Sequence, residues 1–123
     1  MNNRLLKDSK MKIAVTSQNF KTITGHAGRA RRFIIYEGEM NQEPQEIKRL
    51  DLPKELAFHD FHPTDNASHP IDEADIVITG GSGAGFIHRM NARNLQVCFA
   101  EEGSTPLEAA QNFLNGKLPI VKV

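Results

Sequence analysis

The stretch ADIVITGGSGAGFIHRM, residues 74–90, decides how this chain folds. Ile76–Thr79 is a continuous apolar run, the mark of a strand covered on both faces rather than one. Gly80–Gly85 then breaks the chain with four glycines in six residues. Ala84–Arg93 reads as a helix with Phe86, Ile87 and Met90 on one side. Downstream, Leu95–Ala100 is a second strand. Thr105-Pro106-Leu107-Glu108 combines a capping box with proline at the first helical position. Leu107, Ala110 and Leu114 recur at helical spacing, and Gly116 supplies the stop. Strand, helix, strand and helix at these lengths predict a right-handed parallel crossover.

Upstream of this unit the pattern changes. Met11–Thr16 is a strand with β-branched Ile13 and Val15, and Arg32–Glu37 (RFIIYE) is a second with an apolar centre. A third is expected around Gln45–Leu50, paired to the second through a turn near Gly38–Asn41, with Pro44 pointing to an edge position. This hairpin joins the parallel strands in one mixed sheet. Residues 1–10 are polar and read as a flexible leader before one domain over residues 11–123. Asp51–Asp75 is the least regular stretch, with Pro53, Pro63 and Pro70 among His59, His62 and His69. Short helical turns are expected at Lys54–Phe58 and Pro70–Ala74, and the rest reads as a loop.

Composition narrows the function classes. The 123 residues carry 15 basic and 15 acidic side chains, so the chain lacks the basic excess expected of a nucleic-acid binder. No apolar run of membrane-spanning length occurs and no signal peptide opens the chain, which makes the cytoplasm the expected compartment. One cysteine, Cys98, excludes a disulfide framework and any multi-cysteine metal cage built from this chain alone.

Within those limits the glycine-rich loop is the first candidate site. Four glycines between a buried strand and a helix expose backbone N–H groups at a helix N-terminus, an arrangement that attracts phosphate and carboxylate. Gly81-x-Gly83 is followed by Phe86 where a dinucleotide fingerprint wants a third small residue, and no lysine completes a P-loop. Glu101 stands near where a ribose-binding acid would fall. Tight strand-to-helix packing would also explain the glycines.

The second candidate is His26-Ala27-Gly28-Arg29-Ala30. Imidazole ligates iron or zinc and guanidinium holds anions. On local chemistry alone, however, a solvated basic turn with Arg29, Arg31 and Arg32 is the favoured reading. His59-x-x-His62, with His69, Asp60, Asp65 and Asp72, resembles a ligand group but lacks a rigid element to hold three or four donors. Cys98, inside LQVCFA, is by default a buried small hydrophobe. His88 falls on the solvent side of its helix. Glu101-Glu102 could serve acid–base chemistry or merely form a turn.

Taken in order, MKIAVTS, GHAGRARRFIIYE, ADIVITGGSGAG and TPLEAAQNFLNGKL resemble the dinitrogenase iron–molybdenum cofactor biosynthesis family over most of residues 11–118. The resemblance implies a single-domain α/β fold, a five-stranded mixed sheet flanked by helices in a ribonuclease H-like motif. It also implies that His26, Gly28 and Arg29, with Gly80, Gly81, Gly83 and Gly85, form the cofactor-binding site, and that His26 is the metal ligand. Ala27 replaces the family's usual phenylalanine, Ser82 stands where an apolar residue is common, and Gln18-Asn19-Phe20 replaces an aspartate–glycine turn.

The resulting expectation is a carrier and not an enzyme. Its cargo would be an iron–sulfur or iron–molybdenum-type cluster, bound transiently and exchanged with cluster donor and acceptor proteins. A preformed cluster brings its own chemistry, so one or two exchangeable ligands and an anion-friendly rim suffice. The alternative is a nucleotide- or phosphate-binding regulatory module using Gly80–Gly85. Nuclease activity is excluded by the first strand, which carries Lys12 and no carboxylate for Mg²⁺.

Overall fold

The computed structural model of the chain describes residues 10–58 and 68–122. The expected leader therefore lies almost wholly outside the described residues, as do His59, His62, Asp60 and Asp65.

Five strands form one sheet in the order β3-β2-β1-β4-β5. They are β1 (Met11–Thr16), β2 (Arg32–Gly38), β3 (Gln45–Asp51), β4 (Ile76–Thr79) and β5 (Gln96–Phe99). Antiparallel pairing joins β1 to β2 and β2 to β3, whereas β1 to β4 and β4 to β5 are parallel. Helix α1 (Ala84–Ala92) links β4 to β5, and α2 (Pro106–Leu114) follows β5. The predicted mixed five-stranded sheet flanked by helices is the architecture found.

Successive side chains point to opposite faces, and burial of both faces explains why the centres of β1, β2 and β4 are continuously apolar. On one face Ala14, Phe33, Ile35, Val77 and Val97 pack with Phe86, Ile87 and Met90 of α1. On the other, Ile13, Val15, Ile34, Tyr36, Ile76, Ile78 and Cys98 pack with Ala109, Ala110, Phe113 and Leu114 of α2. The sheet is thus a shared wall between two cores. β3 lies at the edge, as Pro44 suggested, and its residues are exposed except for half-buried Leu50. Charged Glu46, Lys48, Arg49 and Asp51 suit that position, where an apolar edge would invite aggregation.

Three local expectations change. Leu107 is 48% exposed and does not join the apolar stripe of α2, which runs instead through Ala109, Ala110, Phe113 and Leu114. The turn after Pro53 is a single 3₁₀ turn, Lys54–Leu56, and stops short of Phe58. At the other, Pro70–Glu73, His69 is a cap and not a surface ligand. Its Nδ1 accepts from the Ile71 N–H at 3.0 Å, and its Nε2 lies 2.7 Å from the Leu56 carbonyl oxygen. Those contacts require a neutral ring protonated on Nε2. Asp72 completes the box by accepting the His69 N–H at 2.9 Å, and Arg93 grips Asp72 at 2.6 and 2.8 Å. With both ring nitrogens engaged, His69 has none to offer a metal.

Burial against Phe58 and its neighbours lowers the His69 pKa from its usual 6.5, with Arg93 acting in the same direction. The unfolded chain therefore takes up this proton before the folded one does. Its contribution to stability is complete above about pH 6.5 and is lost as pH falls below that through the lower folded value. Urea unfolding at pH 7.5 and 5.5 should show a larger loss for the wild type than for His69→Asn, which keeps a capping oxygen but does not titrate.

Candidate functional site

The parallel strands β1, β4 and β5 end side by side, and the loops leaving their C-terminal ends converge there. This is where open α/β sheets bind ligands. The first loop delivers His26 and Arg29, the second the glycine run, and the third Glu102. Together they surround a cleft with two adjoining lobes of about 470 and 590 Å³. His26, Gly28, Arg29, Gly81, Ser82 and Gly83 line the first lobe, and Gly25, His26, Arg29 and Glu102 are common to both.

Two buried threonines set the spacing of the first two loops. The Thr16 hydroxyl, at the end of β1, donates to the Thr24 carbonyl at 2.6 Å and lies 3.0 Å from the Thr79 hydroxyl at the end of β4. Backbone bonds then fasten loop to loop, from Gly80 N–H to Thr24 C=O at 3.0 Å and from Ala27 N–H to Gly81 C=O at 3.1 Å. Between these fastenings His26 is held at φ 50°, ψ 53°, in the left-handed region that a side chain normally avoids. Its carbonyl accepts from the Arg29 N–H at 2.8 Å, closing a 3₁₀ turn over Ala27–Arg29. This turn puts His26 and Arg29 on the cleft, both exposed. Among the described residues neither side chain has a hydrogen-bond or ion-pair partner.

The neighbouring arginines are committed elsewhere. Arg31 donates to the Leu52 carbonyl at 2.9 Å, and Arg32 to the Gln18 carbonyl at 3.0 Å and to Asp51 at 3.3 Å. Phe20, where the resemblance would put an aspartate–glycine turn, adopts φ 58°, and the guanidinium carbons of Arg32 and Arg49 lie 5.3 and 5.1 Å from the centre of its ring. Asn19 supports the bend by accepting from the N–H groups of Lys21 and Thr22. Of the three clustered arginines, then, Arg29 alone serves the cleft.

The glycines divide by cause. A Cβ on Gly80 would fall 2.2 Å from Cγ of Glu102, so Gly80 is needed for close packing. At Gly28, Gly81, Gly83 and Gly85 a Cβ would meet nothing within 4 Å, and none of the four has positive φ. Among the described residues nothing demands glycine there. Gly28, Gly81 and Gly83 nevertheless line the cleft, whereas Gly80 lies behind it and Gly85 sits in the first turn of α1. Gly83 is the N-cap of α1 and offers no side chain, so the first N–H groups of the helix lack both an intrahelical and a side-chain acceptor. Bare backbone of this kind admits an anion closely.

The sequence places Glu101 near the position of a ribose-binding acid and leaves the Glu101-Glu102 pair open between acid–base chemistry and a solvated turn. The structure selects Glu102. Its Oε1 accepts the Gly25 N–H at 3.1 Å, and its side chain crosses between Gly25 and Gly80. The only sequence signal was a glycine at each crossing point. Cys98 takes no part, being buried beneath α2 on the far face of the sheet, where desolvation raises its pKa to about 11 and keeps it a thiol. Among the described residues no three histidine, cysteine, aspartate or glutamate side chains are grouped to hold a metal ion. His88 is exposed on α1, as expected.

The dinitrogenase iron–molybdenum cofactor family matches residues 9–116. The chain belongs to that family. Membership associates it with nitrogenase cofactor biosynthesis, and the fold recurs in solved relatives. A Methanocaldococcus jannaschii protein provisionally described as a dinitrogenase is 16% identical over 92% of this chain and 96% of its own, with a TM-score of 0.62. The apo form of the orange protein from Desulfovibrio gigas is 20% identical over 90% and 92%, at 0.59. A Thermotoga protein provisionally described as NifB is 17% identical over 92% and 95%, at 0.60. At such identities these likenesses establish the shared fold. No curated protein matches the sequence significantly. No helix among the described residues is long and apolar enough to cross a membrane.

Gly80→Ala should displace Glu102 and cost about 1–3 kcal/mol in denaturant unfolding, as overpacking does. Gly81→Ala meets open space and should change stability by no more than about 0.5 kcal/mol.

Proposed function

We propose that this protein is a carrier that binds a metal–sulfide cluster, or a precursor of the iron–molybdenum cofactor, in the cleft between the β1, β4 and β5 loops, and passes it on without catalysis of its own. The observation that carries the reading is the convergence of His26, Arg29 and glycines without a packing role on one open cleft. His26 offers an imidazole nitrogen for one exchangeable metal bond. Arg29 and the amides at the start of α1 offer hydrogen bonds to the anionic sulfide surface.

The donor set fits a cargo better than a resident cofactor. A permanently caged iron–sulfur cluster draws on several thiolates, and the only cysteine of this chain is a buried thiol on the opposite core. One imidazole with a polar rim holds a cluster loosely enough for a partner to remove it. The partners would be the proteins that assemble the cofactor and those that receive it.

Anaerobic incubation with an iron–sulfur cluster donor, followed by absorption and electron paramagnetic resonance spectra, tests the reading. The wild type should take up cluster stoichiometrically, His26→Ala should lose that uptake, and Arg29→Ala should weaken it about tenfold, the worth of one charge-assisted hydrogen bond. Cys98→Ala should retain it. Absence of uptake by the wild type, or uptake that depends on Cys98 instead of His26, would refute the proposal.

A further inference from the structure

We propose that Glu102 sets the charge selectivity of the cleft: its carboxylate, held on the Gly25 amide beside His26, repels phosphate and nucleotide phosphates from the site. The proposal rests on the reading of this cleft as a binding site and adds what that site rejects.

Three features of the side chain point to this role. First, Oε1 accepts the Gly25 N–H at 3.1 Å, at the residue immediately before His26. A carboxylate already fills one anion position beside the proposed ligand. Second, the side chain is threaded between two loops. A Cβ at Gly80 would lie 2.2 Å from its Cγ, and one at Gly25 would lie 3.1–3.2 Å from its carboxylate atoms. Both positions carry glycine, so the path stays open and the carboxylate is led over the cleft. Third, among the described residues Glu102 is the only acid, and Arg29 the only arginine or lysine, that lines both lobes.

A phosphate entering beside His26 meets the like charge of the Glu102 carboxylate, which lines the same cleft. In a partly solvated cleft, a like charge changes anion affinity by about tenfold. A cluster meets the same repulsion but makes a metal–imidazole bond to His26, which an oxyanion cannot make. The carboxylate thereby turns a general anion site into one that favours ligands carrying a metal. The nucleotide alternative raised by the glycine loop is disfavoured for the same reason, since a polyphosphate carries still more negative charge toward Glu102.

The decisive variant is Glu102→Gln, which keeps the length of the side chain and an oxygen to accept the Gly25 N–H, and removes only the charge. Inorganic phosphate and ATP are titrated by calorimetry into wild type, Glu102→Gln and Glu102→Ala at pH 7.5 and fixed ionic strength, with thermal unfolding to verify the fold. Both variants should bind phosphate about tenfold tighter than the wild type, with the gain shrinking as salt is added. Glu102→Gln affinity within twofold of wild type overturns the proposal, because the side chain is then only a strut. A gain in Glu102→Ala without one in Glu102→Gln also overturns it, since space and not charge would be responsible. If the wild type takes up no cluster while Glu102→Gln gains phosphate affinity, the carrier reading fails and the charge selectivity stands.

Discussion

The site depends on a small buried polar contact, the pair of threonine hydroxyls at the ends of β1 and β4. Thr16 and Thr79 are fully buried and lie 3.0 Å apart, and Thr16 donates to the Thr24 carbonyl. A hydroxyl buried without a partner is costly, so satisfaction of this pair fixes both strand ends against the returning loop. From that point the backbone runs Gly80 to Thr24 and Ala27 to Gly81, and His26 is left where only the left-handed conformation closes the turn. The strain at His26 is held by its surroundings rather than by its own preference.

The two-sided sheet explains why this arrangement occurs at one end only. Ile13–Thr16 of β1 and the whole of β4 are buried, so the sheet offers a ligand little there until the strands end. Function moves to the loops at the carboxyl ends, while the cores beneath α1 and α2 hold the strands at fixed spacing. Cys98 belongs to that support. Placing the sole thiol in the α2 core removes it from the cleft, which the imidazole of His26 lines.

Much of the fold was legible because burial on two faces leaves a strong mark. The runs at Met11–Thr16 and Ile76–Thr79 were bounded correctly, and Pro44 identified the edge strand. The misreadings have local causes. Leu107 fits helical spacing but sits in the first turn of α2, where it clears the sheet. His69 reads as part of a polar loop because sequence cannot show that it is buried with both ring nitrogens serving neighbouring backbone groups. Gly80 and Gly81 are chemically identical in sequence, yet one is required by Glu102 and the other is not.

The sequence by itself determined the strand and helix alphabet, the mixed sheet, the family and the candidate pair His26 and Arg29. These follow from periodicity, from turn chemistry and from the order of short motifs, all of which are local. Only the tertiary structure decided which side chains share a cleft. It tied His69, Arg31 and Arg32 to partners outside the cleft and brought in Glu102 from a loop 77 residues beyond Gly25. The physical reason is that neighbours across parallel strand ends are fixed by sheet register and by the packing of two cores, quantities that no local pattern encodes.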